Sequence, residues 1–457
     1  MNLFLGSDPR PIHFVGIAGS GMSALAQVAL KRGVVVTGSD RFPEGAPDLV
    51  GLGAHIARDH DVGLVEAARA LITSAAIPAD HPEVVRAKEL GIPIVPRKEA
   101  LAELVRGKAT VAVAGTHGKT TTTVMATKAL TGAGFAPTGL AGGRVPEWGG
   151  NAKIGGDDLF VVEADEYDQA FLTLYPQVAV INNFEWEHLE SYGGSGQALE
   201  DAFVEFAGRA DRVLIGSDDP GAEAVAEKLG VPIWRFGTAG PDIVIESLMT
   251  VSQGIGAKIM FPGGERVTIE LGVPGIHNVR NAAAALGTVA AMGGELEVAA
   301  DALTGFGGVG RRFERVGWVA DVMVVDDYAH HPTEIAVTLD AALTLYPNRR
   351  LVVVFQPHLY SRTAVLADRM GASLRGSDVV FVTDVYAARE DPVPGVTGAL
   401  VAEAAKSQGL DVRYAPDRQE LLDLVAAEVR AGDLVMTLGA GDITTLGGAL
   451  LRRLAES

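Results

Sequence analysis

The stretch Val111-Ala112-Val113-Ala114-Gly115-Thr116-His117-Gly118-Lys119-Thr120-Thr121 decides how the middle of this chain folds. Four consecutive apolar residues predict a buried strand, and a glycine-rich turn then leads into a helix from Thr120 onwards. Backbone amides of such a turn and of the helix amino end point at a bound anion, and the lysine adds a positive charge. The stretch therefore predicts a phosphate-binding loop.

This loop departs from the usual spacing at one position. In the pattern G-x-x-x-x-G-K-[ST] the first glycine would stand where this chain has Val113. Lys119 is expected to contact phosphate, and the hydroxyl of Thr120 can ligate magnesium. A glycine-rich turn without a ligand is the alternative interpretation. The predicted phosphate site consists of Gly115, Thr116, His117, Gly118, Lys119, Thr120 and Thr121.

Two acidic clusters follow apolar strands behind this loop. The segment Glu163-Ala164-Asp165-Glu166-Tyr167-Asp168 comes after one strand, and Asn183-Phe184-Glu185-Trp186-Glu187-His188 comes after the next. Carboxylates at the carboxyl end of a strand are suited to hold Mg²⁺ beside a nucleotide. Each cluster alone could be a solvated acidic turn, and His188 alone could be structural. Together they favour two-metal phosphoryl chemistry.

Composition narrows the class of protein. The chain has 457 residues, which predicts two or three domains, and a net charge of −19 from 38 basic and 57 acidic residues. This charge argues against binding to nucleic acid or to an anionic membrane. The absence of cysteine excludes disulfides, thiolate zinc sites and cysteine nucleophiles. No apolar stretch is long enough to span a bilayer, so we expect a cytoplasmic enzyme without membrane insertion.

Apolar runs alternate with helical patterns along the chain, which predicts an α/β protein with parallel, doubly wound sheets. We expect three domains, at residues 1–107, 108–312 and 313–457. Short antiparallel strands are expected within Val251–Leu271, and an Ala-rich helix from Gly275 to Gly287. The other predicted elements are a helix at Met22–Arg32 and strands at Ile12–Ile17, Val34–Thr37, Leu71–Ser74, Ile92–Val95, Leu159–Glu163, Val178–Asn182, Met323–Val325, Leu351–Phe355, Val379–Thr383 and Leu434–Leu438.

The motifs of the chain resemble those of the Mur ligases over nearly its whole length. The run Gly115–Thr123 looks like the shortened phosphate loop of that family, which accounts for Val113. Glu163-Ala164-Asp165-Glu166 is similar to its acidic metal motif. The further matches are Pro274-Gly275-Ile276-His277-Asn278 with Asn281, Gly310-Arg311-Arg312-Phe313, Asp326 to Glu334, Gln356-Pro357-His358 and Gly439-Ala440-Gly441. The order and spacing of all these motifs together are specific to the family.

The resemblance implies an architecture and a set of roles. It implies a Rossmann-like N-terminal domain that binds a UDP-sugar, a central P-loop ATPase-like domain and a Rossmann-like C-terminal domain, with ATP as substrate and two Mg²⁺ ions. Lys119 would hold the β- and γ-phosphates, and Thr120, Glu163 and His188 would bind metal. The C-terminal domain would supply His330 and Arg362 to the amino acid. The nucleotide contacts implied are His277, Asn278, Asn281, Arg312, Asp327 and Tyr328.

Three features favour the branch that joins L-alanine to UDP-N-acetylmuramate. The first loop has the spacing G-x-x-G-x-G and places glycine amides at a helix start, which suits a diphosphate. No lysine occurs between His188 and Lys228, whereas branches that add later residues carry a carbamylated lysine there. Asp384-Val385-Tyr386-Ala387-Ala388 also resembles the alanine-adding branch. The UDP-sugar residues implied are Gly16, Gly19, Ser20, Gly21, Met22, Asp40 and Ser74.

The chain departs from the family pattern at a few positions. Leu359 stands where an arginine near the amino acid is usual, so Arg362 carries that role alone, and Trp186 and Glu187 replace the commoner proline and aspartate. The alternatives are a murein-tripeptide recycling ligase, an NAD-dependent oxidoreductase that uses the first glycine loop, and a non-catalytic nucleotide-binding homologue. The protein is expected to be a monomer or a homodimer.

Overall fold

The computed structural model describes residues 3–6, 8–251, 254–388 and 390–456. Within these ranges the strands form three sheets, and the chain divides into two compact units. The first includes the chain up to Met249 together with Gly256–Leu271 and Asn278–Phe306, and the second includes Gly272–His277 and the chain from Gly307 onwards. Among the described residues, no helix combines the length and apolar character needed to cross a membrane.

The N-terminal domain is a parallel sheet flanked by helices. Its strands are β1 (Ile12–Val15), β2 (Val36–Asp40), β3 (His55–Arg58), β4 (Ala70–Thr73) and β5 (Ile94–Pro96), and its helices are α1 (Ser20–Lys31), α2 (Pro47–Gly51), α3 (Val62–Glu66), α4 (Pro82–Leu90) and α5 (Arg97–Val105). The strand order is β3-β2-β1-β4-β5, with every neighbouring pair parallel. This is Rossmann topology. The order in which successive strands are added to the sheet reverses between β1 and β4, and in such sheets ligands bind at the carboxyl ends of the strands at this switch point.

The central domain is built on a larger sheet. Its strands are β6 (Ala109–Ala114), β7 (Thr138–Val145), β8 (Gly150–Lys153), β9 (Leu159–Glu163), β10 (Val178–Ile181), β11 (Arg212–Gly216), β12 (Ile233–Gly237), β13 (Ile243–Val251), β14 (Gly254–Met260) and β15 (Arg266–Leu271), in the order β15-β14-β13-β12-β11-β10-β6-β9-β7-β8. Its helices are α6 (Lys119–Gly132), α7 (Gly196–Ala207), α8 (Pro220–Ala226), α9 (Ile276–Ala291) and α10 (Leu296–Leu303). The phosphate strand β6 lies between β10 and β9 and is parallel to both, so the segments after these three strands share one edge.

The C-terminal domain is a third sheet, in the order β16-β17-β21-β18-β19-β20 for β16 (Glu314–Val319), β17 (Val322–Asp327), β18 (Arg350–Phe355), β19 (Val379–Val382), β20 (Val412–Tyr414) and β21 (Asp433–Leu438). Edge strand β16 is antiparallel to β17, and the other pairs are parallel. Val353 and Val354 of β18 pack into different apolar clusters, so both faces are covered. The helices are α11 (Pro332–Leu345), α12 (Tyr360–Ser373), α13 (Ala399–Ser407), α14 (Arg418–Glu428) and α15 (Thr444–Ala455).

The sequence predictions agree with this fold in class and differ in detail. The three-domain α/β organisation is confirmed, whereas the boundaries at residues 107 and 312 stay predictions. The strand predicted at Leu159–Glu163 has the observed bounds of β9. The strand predicted at Val34–Thr37 was wrong at both ends, because β2 begins at Val36 and ends at Asp40. Strand β3 was not predicted, since its residues are exposed or half-buried and give no apolar run.

Candidate active site

The phosphate loop connects β6 to α6 and requires glycine at two of its positions. Gly115 has φ +126° and Gly118 has φ +78°, a region that side-chain-bearing residues rarely adopt. A Cβ at Gly118 would lie 2.7 Å from Oδ1 of Asn281, and one at Gly115 would lie 3.1 Å from the backbone nitrogen of Asn182. The loop is therefore closed against Asn182 and Asn281, and α6 begins at Lys119.

Lys119 is held inside this loop by three oxygen atoms. Its Nζ donates to the carbonyl of Gly115 at 2.5 Å, to the carbonyl of Thr116 at 3.2 Å and to Oε1 of Glu166 at 3.0 Å. Burial would lower the pKa of Lys119, but the negative charge of Glu166, and then of Asp165, outweighs burial and raises it. The ammonium is therefore charged at neutral pH and oriented before any ligand binds.

Glu166 was part of the quoted acidic motif, but sequence reasoning did not identify it as the partner of Lys119. Its side chain is 3% exposed, and its pKa is raised by burial against the pull of Lys119. The hydroxyl of Tyr192 donates to the Glu166 carbonyl at 2.6 Å, which fixes the backbone beside this carboxylate. The only signal in the sequence was the acidic motif itself, because residues 119 and 166 are brought together by the pairing of β6 with β9.

The predicted metal ligands Thr120 and Glu163 lie next to each other. The Thr120 hydroxyl donates to Oε2 of Glu163 at 2.9 Å, and the amide of Gly142 donates to the same oxygen at 2.6 Å. A side chain at Gly142 would collide with this carboxylate, since its Cβ would lie 2.6 Å from Oε2. A hydroxyl and a carboxylate at the amino end of α6 form the oxygen donor set that Mg²⁺ prefers, so the residues present fit the ion.

The rest of the first acidic cluster is clamped by cations from α5. Arg97 lies 3.4 Å from Oδ2 of Asp165, and Lys98 lies 3.0 Å from Oδ2 of Asp168. Asp168 and Gln169 both have positive φ, at 55° and 53°. Such strained backbone is maintained only where surrounding contacts hold it, and it is concentrated at functional sites. Asp165 and Asp168 are thus paired with cations, whereas Glu163 accepts a hydrogen bond from the Thr120 hydroxyl.

His188, the predicted ligand of a second metal, lies beside this cluster. It also has positive φ, at 54°, and its ring packs edge-on against Tyr167 with centroids 5.4 Å apart. Its Nδ1 lies 3.5 Å from Oε1 of Glu190. The structure thus brings His188 to the acidic cluster, while its role as a metal ligand stays a prediction.

The polar residues at the start of α9 meet the phosphate helix. Thr122 donates to Oδ1 of Asn281 at 3.1 Å and accepts from Nδ2 of Asn182 at 3.0 Å. Asn278 is 8% exposed and lies one turn before Asn281 on α9, and His277 precedes it. Sequence reasoning missed Asn182, which also bonds the carbonyl of His117 at 3.3 Å. Contact of the α9 residues with adenine stays a prediction.

The first glycine loop lies at the switch point of the N-terminal sheet. Gly16 has φ +76°, and its amide donates to the carbonyl of Ser39 at 2.8 Å. Asp40, at the end of β2, accepts from the amide of Ala18 at 2.9 Å. Ser20 begins α1, followed by Gly21 and Met22, so the amides of Ser20 and Gly21 form its amino end, whereas the amide of Gly19 donates to the carbonyl of Gly16 at 3.1 Å. Ser74 directly follows β4 on the other side of the switch point.

In the second unit, Asp327 ends β17 as a buried carboxyl group. It is 5% exposed and accepts from the amides of Phe313 at 2.7 Å and Ala329 at 2.8 Å. Burial raises its pKa to about 6, against the opposing effect of Arg312 and these amides. The Tyr328 ring lies 5.1 Å from the guanidinium carbon of Arg312, a cation–π distance. The predicted residues Arg312, Asp327 and Tyr328 are therefore neighbours.

His330 and Arg362 belong to one group of side chains around His358. The ring centroids of His330 and His358 are 5.6 Å apart, and the ring of His358 stacks on Tyr386 at 5.9 Å. Nη1 of Arg362 lies 3.5 Å from Nδ1 of His358. The structure therefore brings the two predicted amino-acid residues to the same cluster, to which sequence reasoning had not assigned Tyr386.

Leu359, which replaces an expected arginine, is buried at the start of α12. Its side chain is 6% exposed, and its backbone has φ +67° and ψ +134°. Its amide donates to the carbonyl of Tyr386 at 3.0 Å. At this position the chain therefore contributes an apolar, buried side chain to the C-terminal domain rather than a charge.

Comparison with known proteins agrees with the geometry. The Mur ligase family, catalytic domain, matches residues 11–109, the Mur ligase middle domain matches 113–289, and the Mur ligase, glutamate ligase domain, matches 311–441. A UDP-N-acetylmuramate–L-alanine ligase of Acidithiobacillus ferrooxidans is 43% identical over 449 residues, covering 96% of each chain. The chain belongs to the Mur ligase family.

Solved structures of Mur ligases share the whole fold. The UDP-N-acetylmuramate-alanine ligase MurC from Thermotoga maritima superimposes with a TM-score of 0.85 at 30% identity, covering 98% of this chain and 99% of that one. A murein peptide ligase from Psychrobacter arcticus has a TM-score of 0.74 at 24% identity with the same coverage, which shows the fold alone. Family membership does not favour the oxidoreductase alternative.

Proposed function

We propose that this Mur ligase joins L-alanine to the lactyl carboxylate of UDP-N-acetylmuramate, with ATP converted to ADP and phosphate. The observation that carries the proposal is the preformed site at the end of β6, where Lys119 is charged and oriented and the Thr120 hydroxyl meets Glu163. The 43% identity to an alanine ligase over nearly the whole chain supports the choice of substrates.

In the first step, an oxygen of the lactyl carboxylate attacks the γ-phosphorus of ATP. The bond from that phosphorus to the β–γ bridging oxygen breaks, ADP leaves with the electron pair, and an acyl phosphate forms. Negative charge accumulates on the transferring group and on the leaving oxygen. The Lys119 ammonium and the amides of Gly118 to Thr121 act on that charge, and they need little reorganisation because the loop is already closed.

In the second step, the amine nitrogen of L-alanine attacks the acyl carbon, and the bond to the phosphate oxygen breaks as phosphate leaves. The attacking nitrogen must lose a proton to a base. His330 is the residue that we assign to this task. Its Nδ1 lies 2.9 Å from the carbonyl of Tyr328 and donates to it, so Nε2 is the nitrogen that accepts a proton.

Thr120 and Glu163 would hold one Mg²⁺, and we assign His188 to a second ion. Magnesium bound there supplies positive charge that offsets the phosphate oxygens. In the structure the Thr120 hydroxyl and the Glu163 carboxylate are already aligned by a hydrogen bond, and Gly142 leaves room for that carboxylate because it has no side chain. We assign the adenine to Asn278 and Asn281, and the UDP diphosphate to the amides of Ser20 and Gly21 at the start of α1.

The test is phosphate release by the purified chain with ATP, magnesium and UDP-N-acetylmuramate, comparing L-alanine, glycine, L-serine and the murein tripeptide. We expect release to depend on all substrates and to be fastest with L-alanine. Faster release with the tripeptide would replace this proposal by the recycling ligase. Release that does not depend on any amine would contradict a ligase altogether.

A further inference from the structure

A buried cluster of polar side chains lies beneath the first glycine loop, and its centre is Glu83. This residue lies in the first turn of α4 and is 0% exposed. Burying an ionised carboxylate costs several kcal/mol unless partners satisfy it. An apolar residue would fill the same volume without that cost, so the charge calls for an explanation beyond packing.

The Glu83 carboxylate contacts groups from three other segments, and two of these contacts are hydrogen bonds. Oε2 accepts from the hydroxyl of Ser39 at 2.6 Å, and Oε1 accepts from the amide of Asp61 at 2.8 Å. Nε2 of His13 lies 3.2 Å from Oε1, and Nδ1 of His13 lies 2.9 Å from the hydroxyl of Thr37. The carboxylate therefore connects β1, β2, the turn before α3 and the start of α4.

Glu83 is ionised in this environment. Burial alone would raise its pKa, but His13, the Asp61 amide and the Ser39 hydroxyl outweigh burial and lower it. His81 also faces the carboxylate, with Nδ1 3.9 Å from Oε2. A negative charge fixed by these groups holds the Ser39 side chain in one orientation.

Ser39 transmits this constraint to the loop. Its carbonyl accepts from the amides of Gly16 at 2.8 Å and Ile17 at 3.1 Å, and the adjacent Asp40 accepts from Ala18 at 2.9 Å. Three consecutive amides of the loop thus bond to the end of β2. The position of that end decides where the following amides of the loop are directed.

We infer that Glu83 is a positioning residue for the UDP-sugar: through Ser39 it fixes the first glycine loop in the conformation that receives the diphosphate. This inference rests on the proposed function, which supplies the ligand of that loop. Glu83 acts through the hydroxyl of Ser39, which it holds at 2.6 Å.

The experiment measures KM for each of the three substrates, kcat and the melting temperature in Glu83→Gln and Ser39→Ala. The amide nitrogen that Glu83→Gln introduces cannot accept a hydrogen bond, and Ser39→Ala removes the hydroxyl alone. We expect KM for UDP-N-acetylmuramate to rise roughly tenfold in both, as for the loss of one hydrogen bond to a charged group. KM for ATP and for L-alanine should stay within about twofold of wild type.

A matched control is Glu89→Gln, which makes the same change on the same helix at a side chain that is 56% exposed. It should leave all three KM values unchanged. Because Glu83 and Ser39 act through one contact, the double variant should be no worse than the worse single variant. A merely structural role would lower the melting temperature and the active fraction without a selective change in KM.

Two outcomes separate this inference from the proposed function. If the wild-type chain releases no phosphate with the three substrates, the proposed function is wrong. If the wild type is active and folded Ser39→Ala keeps its KM for UDP-N-acetylmuramate, the role of Glu83 is wrong while the function stands. Should Glu83→Gln fail to fold, Ser39→Ala, which retains the carboxylate, decides the question alone.

Discussion

Replacement of Lys119 by alanine tests the phosphate loop most sharply, because the structure predicts separate effects on rate and on stability. The variant removes the ammonium that Gly115, Thr116 and Glu166 hold in place. Removing one such electrostatic group from a preorganised site raises the barrier by about 3 kcal/mol. Since about 1.4 kcal/mol corresponds to tenfold, kcat/KM should fall by a factor of roughly 100 or more.

The effect on stability comes from the partner that is left behind. Glu166 is 3% exposed, and a buried charge without its partner costs about 3–5 kcal/mol if it stays ionised. Burial already raises its pKa, so in Lys119→Ala the carboxyl should take up a proton and reduce that cost. The double variant Lys119→Ala with Glu166→Gln should therefore recover stability over the single variant, whereas its activity should stay low.

The assay is phosphate release over a range of ATP concentrations with the other two substrates saturating, which gives kcat/KM for ATP, together with thermal unfolding of each variant. Lys128→Ala is the matched control, because Lys128 lies on the same helix and pairs with the exposed Glu147 at 2.8 Å. A surface pair of this kind contributes less than about 1 kcal/mol, so activity and stability should stay near wild type. Near-normal phosphate release by folded Lys119→Ala would refute the assignment of Lys119.

Other predictions follow from single contacts. Thr120→Val removes the hydroxyl that bonds Glu163; titration of phosphate release should show a magnesium requirement raised about tenfold, and an unchanged requirement would contradict the metal site. Gly118→Ala places a Cβ 2.7 Å from Oδ1 of Asn281 at a backbone position with φ +78°. The variant should therefore be less stable by about 1–2 kcal/mol and have a higher KM for ATP. An unchanged melting temperature and an unchanged KM would argue against the closed loop. Asp327 keeps its proton up to pH about 6 in the folded chain, whereas in the unfolded chain it loses the proton near pH 4. Its contribution therefore makes the free energy of unfolding fall as pH rises between these values. Thermal melts of Asp327→Asn from pH 4 to 8 should lack that decline, and the same pH dependence of stability in wild type and variant would contradict the prediction.

The sequence predicted the parts of the site that local pattern controls. A buried strand such as Leu159–Glu163 is a continuous apolar run, so its bounds and the position of Glu163 at its end were predictable. The glycines at 115 and 118 follow from the turn that the loop must make, and both have positive φ. These features depend on neighbouring residues in the chain.

Contacts between distant segments were not predictable in the same way. The pair Lys119–Glu166 depends on strands β6 and β9 being neighbours, and the pair Ser39–Glu83 depends on packing of α4 against the end of β2. Strand β7 escaped prediction because its Gly-rich sequence Thr138–Val145 is typical of a loop, although it is held by pairing to β8 and β9. Such contacts between distant segments follow from the strand topology, which one sequence alone does not determine.

The most direct measurement of the central claim uses UDP-N-acetylmuramate with ¹⁸O in both oxygens of its lactyl carboxylate. The labelled substrate is incubated with ATP, magnesium and L-alanine, and the products are analysed by mass spectrometry. If the carboxylate attacks the γ-phosphorus and alanine displaces phosphate, one ¹⁸O should appear in the phosphate and one should stay in an alanine-bearing product. Phosphate free of ¹⁸O, or a sugar nucleotide without added alanine, would contradict the account.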